Sequence, residues 1–260
     1  MEYTGLKNKV AIITGAGEGI GFTIAELLLQ SGGKVVINDV DEDKCKMAVA
    51  RLSDIGQGEI FGFPGDAAQV SVIQDLVGTA IAQFGTLDFV VPNAGITLFG
   101  DFLTFTPADF DKVIALNLKG AFFLVQEATQ AWKAHAKGGK VVLMSSQVGI
   151  RAYKNLAVYG MTKAALRMLA KQLAYELAYY GVTINAIAPG ATLTERTKEE
   201  EPDYEGVWGS LNPNGRVGTP MDMAKTCLFL LSGDAQHING QTIIVDGGWD
   251  AAGKYPEDLL

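Results

Sequence analysis

The segment VAIITGAGEGIG, residues 10–21, joins a short run of apolar residues to a helix through a turn that holds four glycines. The run Val10–Thr14 is typical of a buried strand, and the apolar spacing from Ile20 onward predicts a helix to Gln30. Glycines between a strand and a helix let the backbone approach a pyrophosphate, which the helix N-terminus then stabilises. The sequence therefore predicts a dinucleotide-binding turn, with a plain tight turn as the alternative.

The glycine spacing is T-G-x-x-x-G-x-G, formed by Gly15, Gly19 and Gly21. The commoner G-x-G-x-x-G spacing is not met, because it would need a glycine at Ile20.

An acidic residue, Asp39, follows the second apolar run about 20 residues after the glycine turn, where a carboxylate accepts hydrogen bonds from the adenosine ribose. A carboxylate there would repel the 2′-phosphate of NADP. Glu18, inside the turn, adds a second negative charge. Two acids and no base near the ribose predict NAD over NADP. The alternative is that Asp39 merely ends a strand and Glu18 is solvated.

Outside this segment the chain alternates between apolar runs and helical patterns with little interruption. This alternation predicts a single α/β domain over residues 1–260, with a Rossmann-like, doubly wound, parallel seven-stranded sheet and helices on both faces. A helix that starts at Thr106-Pro107 is expected to continue, with a bend near Gly120, to about Lys137. The predicted strands are Val10–Thr14, Lys34–Asn38, Glu59–Phe63, Leu87–Val91, Lys140–Ser145, Val182–Ala188 and Gln241–Val245.

Composition excludes several classes of function. The chain has 21 Lys and Arg against 29 Asp and Glu, a net charge of −8, which argues against nucleic acid as a partner. Two cysteines and two histidines form no metal-binding pattern, so no metal is expected. No apolar run is long enough to span a membrane, and the N-terminus has no signal-like segment. We expect a cytoplasmic protein with a small-molecule substrate.

Tyr159 and Lys163 are four residues apart in a predicted long helix, so their side chains lie on one face. A neighbouring ammonium favours the phenolate of a tyrosine, which can then exchange a proton with an alcohol. The same spacing occurs by accident at Tyr3 and Lys7. Tyr159 differs because Ser145-Ser146 ends the preceding strand, at the edge where α/β sheets bind ligands.

With these motifs the chain resembles the short-chain dehydrogenase/reductase family, of the single-domain type, from roughly Lys7 to Trp249. The interval before Tyr159 selects Ser146 over Ser145 as the family's serine. The matching residues are Thr14–Gly21, Asp66, Asn93-Ala94-Gly95, Asn117, Ser146, Tyr159, Lys163, Pro189-Gly190 and Asp246-Gly247-Gly248.

The resemblance implies four catalytic residues. Tyr159 would be the general acid/base, and Lys163 would lower its pKa and hold the nicotinamide ribose. Ser146 would hydrogen-bond the substrate oxygen. Asn117 would offer its backbone carbonyl to a water that links Lys163 to solvent.

The resemblance also implies the cofactor contacts. Asp66 and Ala67 would contact adenine, residues 93–95 would line the adenosine side, and Thr192 and Thr194 would secure the carboxamide. Pro92 stands where the family commonly has asparagine, which is expected to loosen that strand end. The cofactor-binding set is Gly15, Glu18, Gly19, Ile20, Gly21, Asp39, Val40, Asp66, Ala67, Asn93, Ala94, Gly95, Tyr159, Lys163, Pro189, Gly190, Thr192 and Thr194.

The substrate wall is expected from residues 96–99, 147–153 and a mobile lid without a clear element at about 192–217. Candidate substrate contacts are Ser146, Gln147, Tyr153, Tyr159 and Trp208. Acidic side chains in the lid count against anionic substrates, so we expect a neutral secondary alcohol or ketone: a sugar, polyol, sterol-like or alicyclic compound.

Two alternatives stay open. One is a 3-oxoacyl thioester (acyl-carrier-protein) reductase that uses NADPH. The other is a non-catalytic dinucleotide-binding sensor, although such proteins typically lose the tyrosine, lysine or serine that this chain keeps. The resemblance further implies a homotetramer, with the polar tail 251–260 reaching a neighbouring subunit.

Overall fold

The computed structural model describes residues 3–55 and 58–252. Residues 253–260 of the predicted tail lie outside this range. The described residues form one seven-stranded sheet in the order β3-β2-β1-β4-β5-β6-β7, and each neighbouring pair is parallel. The strands are β1 Val10–Thr14, β2 Lys34–Asp39, β3 Glu59–Pro64, β4 Phe89–Val91, β5 Lys140–Met144, β6 Thr183–Pro189 and β7 Thr242–Val245. The strand order reverses between β1 and β4, which is where such sheets open a crevice for ligands. The predicted fold class is confirmed.

Helices fill the connections between the strands, and the first of them begins one residue before the predicted Ile20 and ends at the predicted Gln30. The helices are α1 Gly19–Gln30, α2 Glu42–Ser53, α3 Val70–Phe84, α4 Pro107–Ile114, α5 Ala121–Ala134, α6 Ala157–Glu176, α7 Glu195–Glu200, α8 Tyr204–Leu211, α9 Pro220–Leu231 and α10 Trp249–Ala252.

The core consists of two layers, one on each face of the sheet. Because successive strand residues point to opposite faces, Ile13 packs in the layer that contains Leu28 of α1, and Ile12 packs in the layer that contains Leu124 of α5. All four side chains are almost completely buried. The sheet is therefore covered on both sides, and the ligand cleft is left at the carboxyl ends of the strands.

The predicted bend near Gly120 is a π-helical turn, Ala115–Gly120, that joins α4 to α5. A Cβ on Gly120 would lie 2.3 Å from the Ala67 carbonyl oxygen, so only glycine allows the loop after β3 to approach this closely. Single π turns inside α-helices are often found at functional sites.

The prediction that residues 192–217 lack regular structure is wrong. This segment, which we call the lid, contains α7 and α8. Its two ends meet at the sheet edge, where Leu193 N–H donates to the Gly218 carbonyl and Gly218 N–H to the Ala191 carbonyl. Helix α7 is too short to show an apolar period. Its N-cap is Thr194, whose side chain accepts a hydrogen bond from the Thr197 N–H, and a threonine at this place in the sequence is a typical helix start.

Asp88, immediately before β4, is buried and accepts hydrogen bonds from three directions. Lys9 Nζ lies 2.9 Å from its carboxylate, Lys137 Nζ 2.8 Å, and the Val10 backbone nitrogen 3.0 Å. Burial raises the pKa of Asp88, but the hydrogen bonds from Lys137, Val10 and Lys9 outweigh it and hold the pKa below its usual value. The carboxylate therefore ties the start of β1 to β4 and to the segment after α5.

We expect Asp88→Asn to lower the free energy of unfolding at neutral pH by about 1–2 kcal/mol, because both ion pairs are lost while their lysines stay partly solvated. The folded-state pKa is depressed, so this stabilisation is present above the unfolded pKa of about 4 and is lost as pH falls through the folded pKa. Urea unfolding at neutral pH and below about pH 3 measures the change. The exposed Asp75 of α3 supplies the control variant Asp75→Asn. An equal loss of stability at both pH values would contradict this account.

Among the described residues, none of the helices combines the length and apolar character needed to cross a membrane.

Candidate active site

One cleft of about 710 Å³ runs along the carboxyl ends of the strands. Its lining includes every sequence-predicted site residue except Gly21 and Asn117. The topology accounts for this convergence, because parallel strands end at the same edge of the sheet.

The glycine turn approaches its neighbours too closely for side chains. A Cβ on Gly21 would lie 2.5 Å from the Gly15 carbonyl oxygen, and one on Gly15 would lie 2.8 Å from Ala94 Cα. Gly15 and Gly19 also have positive φ values of 61° and 62°. The turn therefore leaves backbone N–H groups and the start of α1 open to the cleft, which fits the pyrophosphate of a dinucleotide.

Asp39 lies at the end of β2 and braces the glycine turn. Its Oδ2 accepts from Gly17 N–H at 3.0 Å, and its Oδ1 accepts from Asp41 N–H at 3.1 Å. Each oxygen keeps acceptor capacity for a ribose hydroxyl. The expectation of no base nearby is wrong, because Lys44 Nζ from α2 lies 2.8 Å from Glu18 Oε2. The first turn of α2 brings this lysine back over the glycine turn, which its position in the sequence did not reveal.

The part of the cleft where the resemblance implies adenine is lined by Ile20, Val40, Asp66 and Ala67. Val40 is largely exposed, as expected of a surface that a flat base can cover. Asp66 accepts from the Ala68 N–H at 2.9 Å and so shapes the turn before α3.

The strand end after Pro92 is held firmly, contrary to the expected loosening. Asn93 Nδ2 donates to the carbonyls of Thr14 and Gly15 at 2.9 and 2.8 Å, and the Ala94 N–H reaches Thr14 Oγ1 at 3.1 Å. Asn93 thus ties the end of β4 to the glycine turn.

The two serines at the end of β5 are clearly separated in role. Ser145 Oγ donates to the Lys163 backbone carbonyl at 2.7 Å and anchors α6. Both serines line the cleft, but it is Ser146 that lies near the Tyr159 hydroxyl, and its Oγ accepts from Val148 N–H at 3.1 Å. The choice of Ser146 over Ser145 therefore agrees with the geometry.

The Tyr159 hydroxyl lies in the cleft near the hydroxyls of Ser146 and Thr97. Enclosure in the cleft raises the pKa of Tyr159, and Ser146, the charge of Arg196 and Thr97 oppose this effect without cancelling it. The family resemblance implied that Lys163 lowers the pKa of Tyr159. In this structure the Lys163 Nζ instead donates to the Met144 carbonyl at 2.8 Å.

Lys163 is buried beside Tyr159, with its Nζ 5.5 Å from the centre of the phenol ring. Burial, and then the charge of Arg196, lower the pKa of Lys163 to about 8. A Cβ on Gly95 would lie 3.4 Å from this Nζ, so the glycine leaves the ammonium open to the cleft.

Asn117 lies in the π-helical turn, and its side chain is fully used. Its Oδ1 accepts from Ile96 N–H at 2.8 Å, and its Nδ2 donates to the Ile96 carbonyl at 2.9 Å and to Thr162 at 3.3 Å. The side chain thus fixes the loop after β4 against α6. Any part in proton transfer falls to its backbone, where the wide turn departs from regular α-helical hydrogen bonding.

The end of β6 brings Pro189, Gly190, Thr192 and Thr194 to the cleft. Thr192 Oγ1 donates to the Gly190 carbonyl at 3.0 Å, and Thr194 is the N-cap of α7. A Cβ on Gly190 would lie 2.6 Å from Asp246 Cβ, which explains the glycine by the close approach of β7.

The far end of the cleft is aromatic. The Trp208 ring centre lies 5.8 Å from that of Tyr153 and 5.9 Å from that of Tyr204. Trp208 Nε1 also donates to Glu201 at 2.9 Å. The predicted contact Gln147 lines the same cleft and is 2% exposed, and its buried Nε2 has no hydrogen-bond partner among the described residues.

Sequence reasoning did not single out three residues that the structure brings to the site. Arg196 Nη2 donates to Thr97 Oγ1 at 3.4 Å. This contact brings the positive charge of an α7 side chain close to Thr97, which lies near the Tyr159 hydroxyl. No spacing rule joins these positions, because the lid was not predicted to contain a helix. The three residues are Arg196 and Trp249 in the cleft and Lys44 beside Glu18.

Comparison with known proteins places this cleft in a family. A family model described as enoyl-(acyl carrier protein) reductase matches residues 15–250. A probable tetrahydroxynaphthalene reductase of Zymoseptoria tritici is 34% identical over 258 residues, which cover 93% of this chain and 94% of that protein. The L-rhamnose-1-dehydrogenase of Scheffersomyces stipitis is 35% identical over 251 residues, covering 94% and 97%.

A crystal structure of a short-chain type dehydrogenase/reductase from Mycobacterium marinum matches with a TM-score of 0.88 at 28% identity, covering 94% of this chain and 96% of that one. Proteins of this kind use NAD or NADP. From the matched motifs, the sheet order and these similarities, the chain belongs to the short-chain dehydrogenase/reductase family.

Proposed function

We propose that this protein is an NAD-dependent oxidoreductase that transfers a hydride between the nicotinamide and a neutral secondary alcohol or ketone. The observation that carries the proposal is the enclosure of Tyr159 in the cleft together with Ser146, Thr97 and Lys163. A hydroxyl held there can exchange one proton with a substrate oxygen bound beside it.

In this proposal the protein's own residues handle the proton and the orientation, while the bound nicotinamide supplies or accepts the hydride. Ser146 donates a hydrogen bond to the substrate oxygen and holds it against Tyr159. Tyr159 takes the hydroxyl proton during oxidation and returns it during reduction. Lys163, whose Nζ is open to the cleft next to Gly95, holds the ribose hydroxyls and keeps a positive charge near the phenolate.

Asp39 supports the choice of NAD, because its carboxylate ends β2 at the edge of the ribose pocket. Glu18 adds less than expected, because Lys44 neutralises it. The preference for NAD therefore rests mainly on one carboxylate.

We expect Asp39→Asn to weaken binding of NAD by about tenfold and to strengthen binding of NADP by a similar factor, because one charged acceptor is lost and one repulsion removed. Titration calorimetry with each dinucleotide measures both changes. Asp43→Asn, the same change of charge at an exposed site in the first turn of α2, serves as control. Unchanged selectivity in Asp39→Asn would show that other groups read the ribose.

A neutral, ring-bearing substrate is favoured by the lining of the cleft. Aromatic rings at its far end give apolar faces, and Glu195, Glu200 and Glu201 surround its mouth. The names of the two similar proteins given above refer to a sugar, L-rhamnose, and to tetrahydroxynaphthalene. Both are cyclic compounds with several oxygens. The unpartnered Gln147 Nε2 could serve a second oxygen of such a substrate.

The second candidate is reduction of an acyl thioester on a carrier protein, which the description of the matching family model favours. The acidic mouth of the cleft counts against it, because an acidic carrier would be repelled. A substrate screen followed by NADH absorbance, with NAD and NADP side by side, tests the proposal. Faster reduction of acetoacetyl thioesters with NADPH than oxidation of any neutral alcohol with NAD would overturn it.

We also propose self-association through the exposed face of α5 and α6. Phe122, Met161 and Met168 are large apolar side chains left substantially exposed on these helices. Exposed apolar residues that share one surface favour burial against a second copy. Light scattering at two protein concentrations tests this proposal.

A further inference from the structure

The residues after β7 fold back over the cleft. Residues 246–252, which we call the C-terminal turn, begin with Asp246, whose carboxylate accepts from the N–H groups of Gly248 at 2.9 Å and Asp250 at 2.6 Å. Gly247 and Gly248 have positive φ values of 66° and 91°, which other residues rarely adopt. This geometry places Trp249, 4% exposed, in the lining of the cleft.

Trp249 completes the aromatic end of the cleft. Its ring meets Trp208 edge-to-face, with ring centres 5.3 Å apart and planes at 81°. Trp208 in turn packs against Tyr153 and Tyr204 in a tilted arrangement, at interplanar angles of 31° and 34°. The two tryptophans and two tyrosines therefore form one continuous wall, to which the lid, the loop before Tyr159 and the C-terminal turn each contribute.

An ion pair holds the C-terminal turn against the loop before Tyr159. Arg151 Nε lies 2.7 Å from Asp250 Oδ1, and the same guanidinium also donates to the Asp250 backbone carbonyl. Both side chains are about one-third exposed, and ion pairs of this kind contribute little to global stability. Two hydrogen bonds from Arg151 to Asp250 do, however, fix the orientation of the two residues relative to each other, because the guanidinium is planar and its donors are rigidly spaced. Arg151 lies two residues before Tyr153, so the pair sets the distance between Tyr153 and Trp249.

We propose that Trp249, positioned by the Arg151–Asp250 pair, is the residue that selects flat cyclic alcohols and ketones over open-chain ones. This inference rests on the proposed function and deepens it by naming the class of substrate. A flat ring inserted beside Trp208 meets ring faces and edges on several sides, whereas a flexible chain must lose rotational freedom to lie there. Trp249 determines specificity, and Arg151 and Asp250 are positioning residues.

The test compares two probes with equal numbers of carbon atoms, 2-naphthol and 2-decanol, by titration calorimetry with NAD present. We expect wild-type protein to bind 2-naphthol at least about tenfold more tightly than 2-decanol, and Trp249→Leu to reduce this preference to about threefold or less. Asp250→Asn should weaken 2-naphthol binding by about threefold to fivefold and leave 2-decanol binding unchanged. Trp249→Phe, which keeps a ring, should retain most of the preference.

Glu59→Gln is the matched control, because it removes one carboxylate from the Lys34–Glu59 pair at the opposite edge of the sheet. It should leave both affinities as in the wild type. Equal binding of the two probes by wild-type protein would overturn the inference, as would a preference that survives in Trp249→Leu. Thermal unfolding of each variant identifies a folding defect, in which case Trp249→Phe and Asp250→Asn decide the question.

Turnover separates this inference from the proposed function. If 2-naphthol binds selectively but 2-tetralone and 2-decanone are both left unreduced by NADH, the proposed reaction fails and the selection by Trp249 stands. If 2-tetralone is reduced but Trp249→Leu lowers kcat/KM equally for both ketones, the reaction stands and the assignment of Trp249 fails.

Discussion

Replacement of Tyr159 by phenylalanine is expected to lower kcat by about 10³-fold, while the affinity for NAD changes by less than about threefold. The change removes one hydroxyl, the group that lies near Ser146 and Thr97 and that would exchange the proton with substrate. The phenyl ring keeps its place on α6, so Lys163 and the cofactor-binding surfaces are expected to stay as they are. Initial rates with a substrate from the screen, and calorimetry with NAD, measure the two quantities.

Tyr175→Phe is the natural control, because Tyr175 lies on the same helix and its side chain is 86% exposed. Its activity should equal that of the wild type. A Tyr159→Phe variant that keeps more than about a tenth of the activity would assign the proton to another group. If wild type and variant bind NAD equally but neither reduces or oxidises any compound of a broad panel, the sensor hypothesis gains instead.

Gly21→Ala is expected to lower the affinity for NADH by at least about 100-fold, the second largest effect. The added Cβ would lie 2.5 Å from the Gly15 carbonyl oxygen and 2.6 Å from Asn93 Nδ2. Backbone atoms cannot move away as a flexible side chain can, so the turn itself must shift and its N–H groups lose their alignment. NADH fluorescence measures the affinity.

Gly78→Ala adds the same methyl group in α3, where no atom lies within 4 Å of the new Cβ. It should bind NADH like the wild type and gain about 0.5–1 kcal/mol of stability from the better helix former. Thermal unfolding of Gly21→Ala distinguishes lost binding from lost folding. If a folded Gly21→Ala protein bound NADH as tightly as the wild type, the glycine turn would not be part of the cofactor site.

The fold could be predicted because its strands, helices and tight turns each have a pattern that can be recognised within a short stretch of sequence. Buried strands are short apolar runs, the helices between them repeat every three to four residues, and Gly15, Gly19 and Gly21 mark the one turn that needs close approach. The positions of Ser145-Ser146 after β5 and of Tyr159 on α6 could be predicted for the same reason, whereas the choice of Ser146 over Ser145 came from the family resemblance and stays a prediction.

What the sequence did not reveal depends on contacts between distant segments. Lys44 is an ordinary surface lysine in the sequence and becomes a neighbour of Glu18 only when α2 returns to the glycine turn. Arg196 is one charge among several in a polar stretch until α7 carries it to Thr97. Short capped helices such as α7 lack the length over which an apolar period can be recognised.

The π-helical turn Ala115–Gly120 has a consequence for how this chain tolerates changes of length. Each residue of an α-helix advances its direction by about 100° around the axis. The wide turn therefore offsets the angular phase of α5 from that of α4. A single-residue deletion between positions 115 and 120 would let the two helices merge into one regular helix, at the cost of rotating one of them by roughly a quarter turn. Either Val113 or Leu124, both buried, would then face solvent, and Asn117 would leave Ile96. Insertions and deletions in this connection are thus restricted by rotation rather than by the space available.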